Sequence, residues 1–422
     1  MTCAGGVTPL CALVNGAHNG LPIVKGRIMK TYKYLIIGSG MTADAAVRGI
    51  REVDADGSIG MIGMEADMPY GRPPLSKGLW KGRPLEKIWR GTDKFDNVDF
   101  HLGRKATELD TAKKHVRDDK GEEYAYEKLL IATGGAPIHL PFGGEHIIYY
   151  RTLQDYQRLR ALTEKRERFL VIGAGFIGSE IAAVLNMQGK QVTMVFLENS
   201  IGENIYPPEL SQFLNDAYRK KGVELVPADG VANIEETGTS LKVQTRSGRV
   251  FEVDGIVAGL GVRPNVELAK SANLKVENGI VVDEHLLTSA PDVYAAGDVA
   301  MFPHAALGKM FRVEHEDNAL MMGKQAGRNM AGANESYTHT PQFYSDLFEF
   351  GYEAVGELSS KMEMVTDWQE PFQKGAVYYL DGGRVRGVLL WNLWKKVKDA
   401  TALIAEAGPF KAEDLIGRIK GE

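Results

Sequence analysis

Short apolar runs closed by glycine-containing turns recur along the chain, and two of these turns lead into helical stretches. This alternation is that of an α/β protein with parallel sheets. Tyr34–Ile37, Phe169–Ile172 and Val192–Leu197 read as buried strands, and the stretches from Ala43 and after Gly178 as helices. "KLLIATGGAP" (128–137), "DGIVAGLGVRPN" (254–265) and "DVYAAGDVAMF" (292–302) are further strands that end in turns. The tail, from about residue 331, reads as strands followed by helices. The first 28 residues differ, with no charge before Lys25. They lack the basic start and longer apolar centre of a signal peptide, so residues 1–30 are expected to be a poorly ordered extension, with Met29 beginning the fold.

Two of the turns carry chemistry. Gly38-Ser39-Gly40-Met41-Thr42-Ala43 is a G-x-G-x-x-A run between strand and helix. Gly38 permits the tight turn, Gly40 lets a pyrophosphate approach the backbone, and Ala43 lets helix and strand pack closely. The helix N-terminus then faces the phosphates. Gly173-Ala174-Gly175-Phe176-Ile177-Gly178 repeats the pattern, and Glu198 follows Gly173 by 25 residues. That is where such a unit places the carboxylate that holds an adenosine ribose, the bland alternative being a surface acid. No Arg or Lys falls between Leu197 and Tyr218, which favours NAD over NADP. Glu65, 27 residues past Gly38, is the matching acid of the first unit, with Asp67 as the alternative.

Two such units imply two dinucleotides, NAD and a prosthetic FAD. Ala132-Thr133-Gly134-Gly135 and Gly297-Asp298 close strands in the manner of an FAD domain. Asp298 suits the ribityl hydroxyls or a pyrophosphate-bound water, or else a helix N-cap. The fold class expected is α/β, with two Rossmann-like dinucleotide-binding domains and a C-terminal α+β domain. The FAD domain (31–137 and 266–330) is split by the NAD domain (138–265), and residues 331–422 form the third.

Composition narrows the class. The chain has 422 residues, 44% hydrophobic and 25% charged, as an ordinary globular protein has. A net charge of −5 gives no footing for nucleic acid. No apolar run reaches the ~18 residues of a transmembrane helix. Cys3 and Cys11 are too few for a disulfide framework and form no metal motif, so a reducing cytoplasm is expected. In "PYGRPPLSKGLW" (69–80), the two prolines predict a helix starting just after them. Lys77 then falls in its first turn, where a cation opposes the helix dipole.

With these motifs in place, the sequence resembles the flavin reductases of the pyridine nucleotide–disulfide oxidoreductase superfamily. Within it the chain looks most like the apoptosis-inducing factor family and its bacterial relatives, and it is similar to ferredoxin and rubredoxin reductases. The resemblance runs from Thr31 to about Ile404. It rests on 69–80, "GFIGSE" (175–180), "RVEHEDNA" (312–319), "YSDLFEFGYEAVGEL" (344–358) and "KGAVYYL…GVLLWNLW" (374–394). It implies that Arg72, Lys77, Arg151, Asp298 and His315 contact FAD. It implies that Glu198, Gly261, Glu314 and Glu353 contact NAD, with Asn392 near the nicotinamide. It also implies a Lys77–Glu180 ion pair beside the flavin and a catalytic group of Lys77, Glu180 and His315. The bland readings are a solvated Lys77, a first-turn Glu180 that favours the helix dipole, and a structural His315. Tyr344 stands where the mitochondrial proteins carry a Trp packed by the flavin. Their long insertion before the "KGAVYYL" segment is replaced here by the short "MEMVTDWQEPFQ". Trp391 and Trp394 read as core. Lys395, Lys396 and Lys398 read as a solvated helix face or a docking patch for an acidic carrier.

The activity implied is hydride transfer from NADH to the flavin, with electrons passing on to a non-disulfide acceptor. Disulfide reductases of the group carry a redox Cys pair where "RPPLSKGLW" stands here. Ferredoxin, rubredoxin, quinone and oxygen remain as acceptors. The alternative is an NADH-responsive redox sensor with a long-lived reduced flavin–NAD complex. A homodimer is compatible with either.

Overall fold

The computed structural model describes residues 23–24 and 27–421, so most of the expectation for residues 1–30 lies outside the described residues. The first sheet is built on Lys30–Ile37, flanked in parallel by Ile59–Gly63 and Glu123–Ile131. Val98–Leu102 extends it on one side, and Val293–Ala295 joins it in parallel with Glu123–Ile131. Leu35 and Ile36 are fully buried, which is why this strand reads as an unbroken apolar run rather than an alternation. The antiparallel strands Ala106–Asp110 and His115–Asp118 complete the sheet.

A second sheet is all parallel, in the order Ile147–Tyr149, Gly255–Ala258, Arg168–Ile172, Gln191–Val195, Glu224–Val226. A three-stranded antiparallel sheet, Val231–Thr237, Ser240–Thr245 and Val250–Val253, is inserted before its last strand in sequence. The tail forms a five-stranded antiparallel sheet from Gln342–Leu347 to Arg384–Trp391, followed by helices Val397–Ala405 and Ala412–Leu415. Strands followed by helices is the order expected there.

The first sheet receives a strand, Val293–Ala295, that follows the whole second sheet in sequence. The chain leaves and re-enters along two paired segments. Gly135–Pro137 and Val262–Pro264 run antiparallel, with Pro137 opposite Val262. Thr133 and Asn265 lock this crossing. Thr133 Oγ1 donates to the Asn265 carbonyl at 2.8 Å, and Asn265 Nδ2 donates to the Thr133 carbonyl at 2.8 Å.

Helices Met41–Val53 and Glu316–Met330 pack closely enough to exclude side chains at their contact. A Cβ on Gly327 would lie 2.1 Å from the Ala46 carbonyl, and one on Gly49 would lie 2.0 Å from that of Lys324.

The segment after the prolines departs from expectation. It forms two 3₁₀ turns, Pro73–Ser76 and Gly78–Lys81, with Lys77 at the break between them. Both prolines lie inside the first turn. A first-turn N–H has no intrahelical partner, so its loss at proline costs nothing there. Lys77 therefore opposes no α-helix dipole; its φ of −131° and ψ of −93° break the 3₁₀ run.

Candidate functional site

The two glycine turns have the same build. Gly38 has φ +127°, and a Cβ there would meet the Ala132 carbonyl oxygen at 2.1 Å. Gly173 has φ +99°, and a Cβ would meet the Gly259 carbonyl oxygen at 2.5 Å. Gly178 lies against the Gly173 carbonyl, and Ala43 is fully buried. The middle glycines differ. Gly40 and Gly175 each have open space where a Cβ would stand. Each is also the N-cap of its helix, Met41–Val53 or Phe176–Met187, with no side-chain cap bond. Two helix N-termini thus present uncapped N–H groups to open space, which fits a pyrophosphate at each.

Around the first turn, Glu65 accepts from Arg72 and from Tyr70. Arg72 also donates to the Arg151 carbonyl at 2.9 Å, and Arg151 Nη2 lies 2.7 Å from Asp298 Oδ2. Gly134, at φ +63°, lies under the same Arg151 guanidinium. The structure thus links Glu65, Arg72, Arg151 and Asp298. Asp298 caps no helix: the N-cap of its 3₁₀ turn Gly297–Val299 is Ala296, and the carboxylate is directed to Arg151 instead. The alternative acid Asp67 is held by Gln154.

Around the second turn, Glu198 is only loosely held, by Asn204 Nδ2 at 3.5 Å. Arg246, from the hairpin that joins Ser240–Thr245 to Val250–Val253, lies near Leu197, the residue before Glu198. Its Nε and the Leu197 side chain each come within 3.0 Å of the Cβ position on Gly230. The absence of cations between Leu197 and Tyr218 therefore leaves out one that the fold supplies.

In the helix that follows the second turn, Glu180 Oε1 lies 2.7 Å from Lys77 Nζ. Glu180 sits past the first turn of its helix, so the reading of it as a first-turn acid gives way. Its side chain is 3% exposed. A carboxylate so buried costs several kcal/mol unless it is paired and hydrogen-bonded. Here Ser76 Oγ donates to Oε2 at 2.6 Å and Ser345 Oγ to Oε1 at 2.5 Å. Lys77 Nζ also sits 5.2 Å from the Tyr344 ring centroid, and Tyr344 is 44% exposed. Burial, then the nearby Glu316 and Asp346 carboxylates, push the Tyr344 hydroxyl up to about 12.

His315 is the N-cap residue of helix Glu316–Met330 and makes no capping bond with its side chain. Its ring stacks on Phe343 at 4.2 Å, and Phe343 meets Phe176 edge-on at 5.3 Å. Phe343 thus bridges the starts of two helices, one from each sheet system. Burial lowers the His315 imidazole to about 4, so the ring is neutral at neutral pH. Ile177, next to Phe176, is half-buried.

The remaining residues have their polar atoms engaged locally. Gly261, at φ +91°, accepts from Ile138 N–H at 3.0 Å. Glu314 accepts from Arg312 at 2.8 Å, and Glu353 from the Lys395 N–H at 3.1 Å. Asn392 accepts from the Gly351 N–H and donates to the Gln373 carbonyl, both at 2.8 Å, so both ends of its amide brace local backbone. Trp391 is core, whereas Trp394 is 47% exposed because it follows the strand's end. Of the three lysines near it, only Lys398 lies within the helix Val397–Ala405.

The model of the pyridine nucleotide-disulphide oxidoreductase family matches residues 32–323, spanning both glycine turns and the Lys77–Glu180 pair. The chain belongs to this family. As a pyridine nucleotide-disulphide oxidoreductase it binds FAD, uses NAD(H) and is an NADH:acceptor oxidoreductase. Residues 326–370 match the C-terminal model of mitochondrion-associated apoptosis-inducing factor. The chain is 32% identical to apoptosis-inducing factor 1 of Dictyostelium discoideum, covering 89% of this chain and 79% of that protein. It is 32% identical to monodehydroascorbate reductase 3 of Arabidopsis thaliana, covering 90% and 94%. The solved covalent complex of putidaredoxin reductase with putidaredoxin aligns at a TM-score of 0.82 and 28% identity, over 93% of this chain and 99% of that one.

Sequence reading missed Ser76, Ser345, Phe343, Asn265 and Arg246. A serine two residues after "PP" and a phenylalanine in a strand carry no local signal. Their roles arise from contacts that only the fold creates.

Proposed function

We propose that this oxidoreductase passes electrons from NADH to a one-electron protein carrier of the ferredoxin type. The observation that carries the reading is the Lys77–Glu180 pair. Its Lys77 lies in a segment (69–80) that holds no cysteine, and its Glu180 in the helix that follows the second glycine turn. The complex of putidaredoxin reductase with its carrier supports the choice of acceptor. When bound, FAD supplies the two-electron to one-electron conversion.

In this reading the chain's own residues position and neutralise. The Gly40 N-terminus receives the FAD pyrophosphate, with Arg72, Arg151 and Asp298 around it and Glu65 on the ribose. The Gly175 N-terminus receives the NAD pyrophosphate, and Glu198 receives the ribose hydroxyls. Gly261, Glu314, Glu353 and Asn392 border the nicotinamide end. Lys77, held by Glu180, supplies positive charge beside the reduced ring. His315 and Phe343 wall the site as a neutral apolar surface. Among the described residues no helix is long and apolar enough to cross a membrane. A reducing cytoplasm, read from two cysteines in 422 residues, completes the proposal, with a homodimer as its compatible assembly.

The match of residues 326–370 to the apoptosis-inducing factor C-terminal model favours a second reading, a redox sensor. One experiment separates the two. The FAD-loaded protein is reduced anaerobically with NADH, then mixed with oxidised ferredoxin. Reoxidation within seconds supports the reductase. A long-wavelength charge-transfer band that persists with ferredoxin and in air supports the sensor.

A further inference from the structure

An open parallel sheet takes its ligand beyond the carboxyl ends of its strands. In the second sheet, Gln191–Val195 and Glu224–Val226 lie side by side, and their exits are tied together. The Asp229 N–H donates to the Phe196 carbonyl at 3.0 Å, and the Ala228 N–H to the Glu198 carbonyl at 2.8 Å. Glu198 therefore emerges against residues 228–230.

The inserted hairpin reaches the same end of the sheet. The Arg246 N–H donates to the Gly230 carbonyl at 2.7 Å. Asp229, 7% exposed, pins this contact. Its Oδ1 accepts from the Gly230 N–H at 2.8 Å and the Ser247 N–H at 3.2 Å, and its Oδ2 from Ser247 Oγ at 2.6 Å. All of these donors are neutral. The Arg246 guanidinium itself has no hydrogen-bond or ion-pair partner among the described residues. It lies where Gly230 leaves room: a Cβ there would be 3.0 Å from Arg246 Nε and from Leu197 Cδ2, and 3.2 Å from Arg246 Cζ. Arg246 and Leu197 are both exposed. An unpaired guanidinium thus stands against the residue that precedes Glu198, on a wall fixed by a buried carboxylate.

The two charges at this spot suit different nucleotides. A carboxylate accepts from the ribose hydroxyls of NADH, and a guanidinium accommodates a 2′-phosphate through paired N–H donors. Among the described residues Glu198 has one side-chain contact, Asn204 Nδ2 at 3.5 Å, so no strong bond holds its carboxylate against a phosphate.

We infer that Arg246 accommodates a nucleotide 2′-phosphate at the second turn, so that NADPH is accepted as a donor beside NADH. The inference rests on the placement of Glu198 as ribose acid proposed above. The cation comes from the inserted hairpin, because the stretch after the ribose strand holds no Arg or Lys between Leu197 and Tyr218.

The test uses the oxidised, FAD-loaded full chain and two fragments without a nicotinamide, 5′-AMP and 2′,5′-ADP, titrated calorimetrically. Neither fragment can reduce the flavin, so the result does not depend on where electrons go. 2′,5′-ADP is expected to bind at least as tightly as 5′-AMP, and NAD⁺ to displace both. Arg246→Gln should lower the ratio of 2′,5′-ADP to 5′-AMP affinity at least fivefold, and Arg246→Lys, which keeps the charge, by less. The side chain is exposed and unbonded, so both variants fold. In turnover, the ratio of kcat/KM for NADPH to that for NADH should fall with Arg246→Gln, through KM rather than kcat. Weaker binding of 2′,5′-ADP than of 5′-AMP would overturn the inference, as would a ratio that Arg246→Gln moves less than fivefold. Either result leaves the electron-carrier reading standing. Binding of neither fragment, or binding that NAD⁺ does not displace, would remove the nucleotide seat from the second turn and the inference with it.

Discussion

Lys77 and Glu180 meet at 2.7 Å although 103 residues separate them, and they come from different sheet systems. The pair is nearly closed to water, and two serines donate to the same carboxylate, one to each oxygen. Lys77→Ala should therefore slow flavin reduction by NADH at least tenfold while changing FAD retention much less. Stopped-flow absorbance at the flavin band measures the first, and the FAD-to-protein ratio after gel filtration the second. Equal losses in both would assign Lys77 to holding FAD rather than to the reaction.

Ser345 brings the C-terminal sheet into this pair. A hydrogen bond to a charged group contributes ~1.5–3 kcal/mol. Ser345→Ala should cost that order of stability in denaturant unfolding. Because serine and carboxylate act together, Ser345→Ala and Glu180→Gln combined should cost less than the sum of the two. Strict additivity would remove Ser345 from the cluster.

The glycine turns separate packing from binding. Gly40→Ala and Gly175→Ala add a methyl to open space, so each should cost the empty chain no more than ~1 kcal/mol, the order of a lost favourable N-cap. Gly40→Ala should weaken FAD binding, and Gly175→Ala should raise the KM for NADH, each at least tenfold, without exchange of effects. Gly38→Ala places a methyl 2.1 Å from a carbonyl oxygen at positive φ and should cost more than ~3 kcal/mol. Calorimetric unfolding with FAD and NADH titrations checks all three.

His304 gives a pH signature. It is 3% exposed, its Nε2 has no hydrogen-bond partner among the described residues, and burial lowers its imidazole to about 4. The unfolded chain takes up this proton near pH 6.5, before the folded chain does. Stability from this group is therefore full above pH 6.5 and declines as pH falls to about 4. His304→Phe keeps a ring beside Phe302 and Phe311 and should flatten the decline by one proton over that window, read from urea midpoints.

What could be read from the chain was local. The two glycine turns and the buried strands before them are contiguous, so residue order alone reveals them. Glu198 follows its strand at a fixed distance for the same reason. The helix expected at Lys77 failed because proline is as compatible with the first turn of a 3₁₀ run as with a stretch before a helix. Phe343, Ser345 and Arg246 stayed hidden because their partners lie 16 to 167 positions away, brought near by strand pairing that no local pattern states. The close crossing at Gly49 and Gly327 was hidden likewise: each glycine looks like a weak point in its own helix until the other helix is beside it.

The paired segments Gly135–Pro137 and Val262–Pro264 have a consequence for how such a chain is assembled. Adjacent strands lie ~4.8 Å apart, a gap that a two-residue turn spans. Everything between them therefore hangs from a ribbon whose two ends already touch. A shortened gene that joins the two strands by a tight turn would leave the first sheet's ladder at its original spacing. A different insert with neighbouring termini would fit the same socket. The ribbon makes the second sheet a unit that enters and leaves the chain at one place, and any insert exchanged there would have to bring its own carboxylate to Lys77 and Ser345 in place of Glu180.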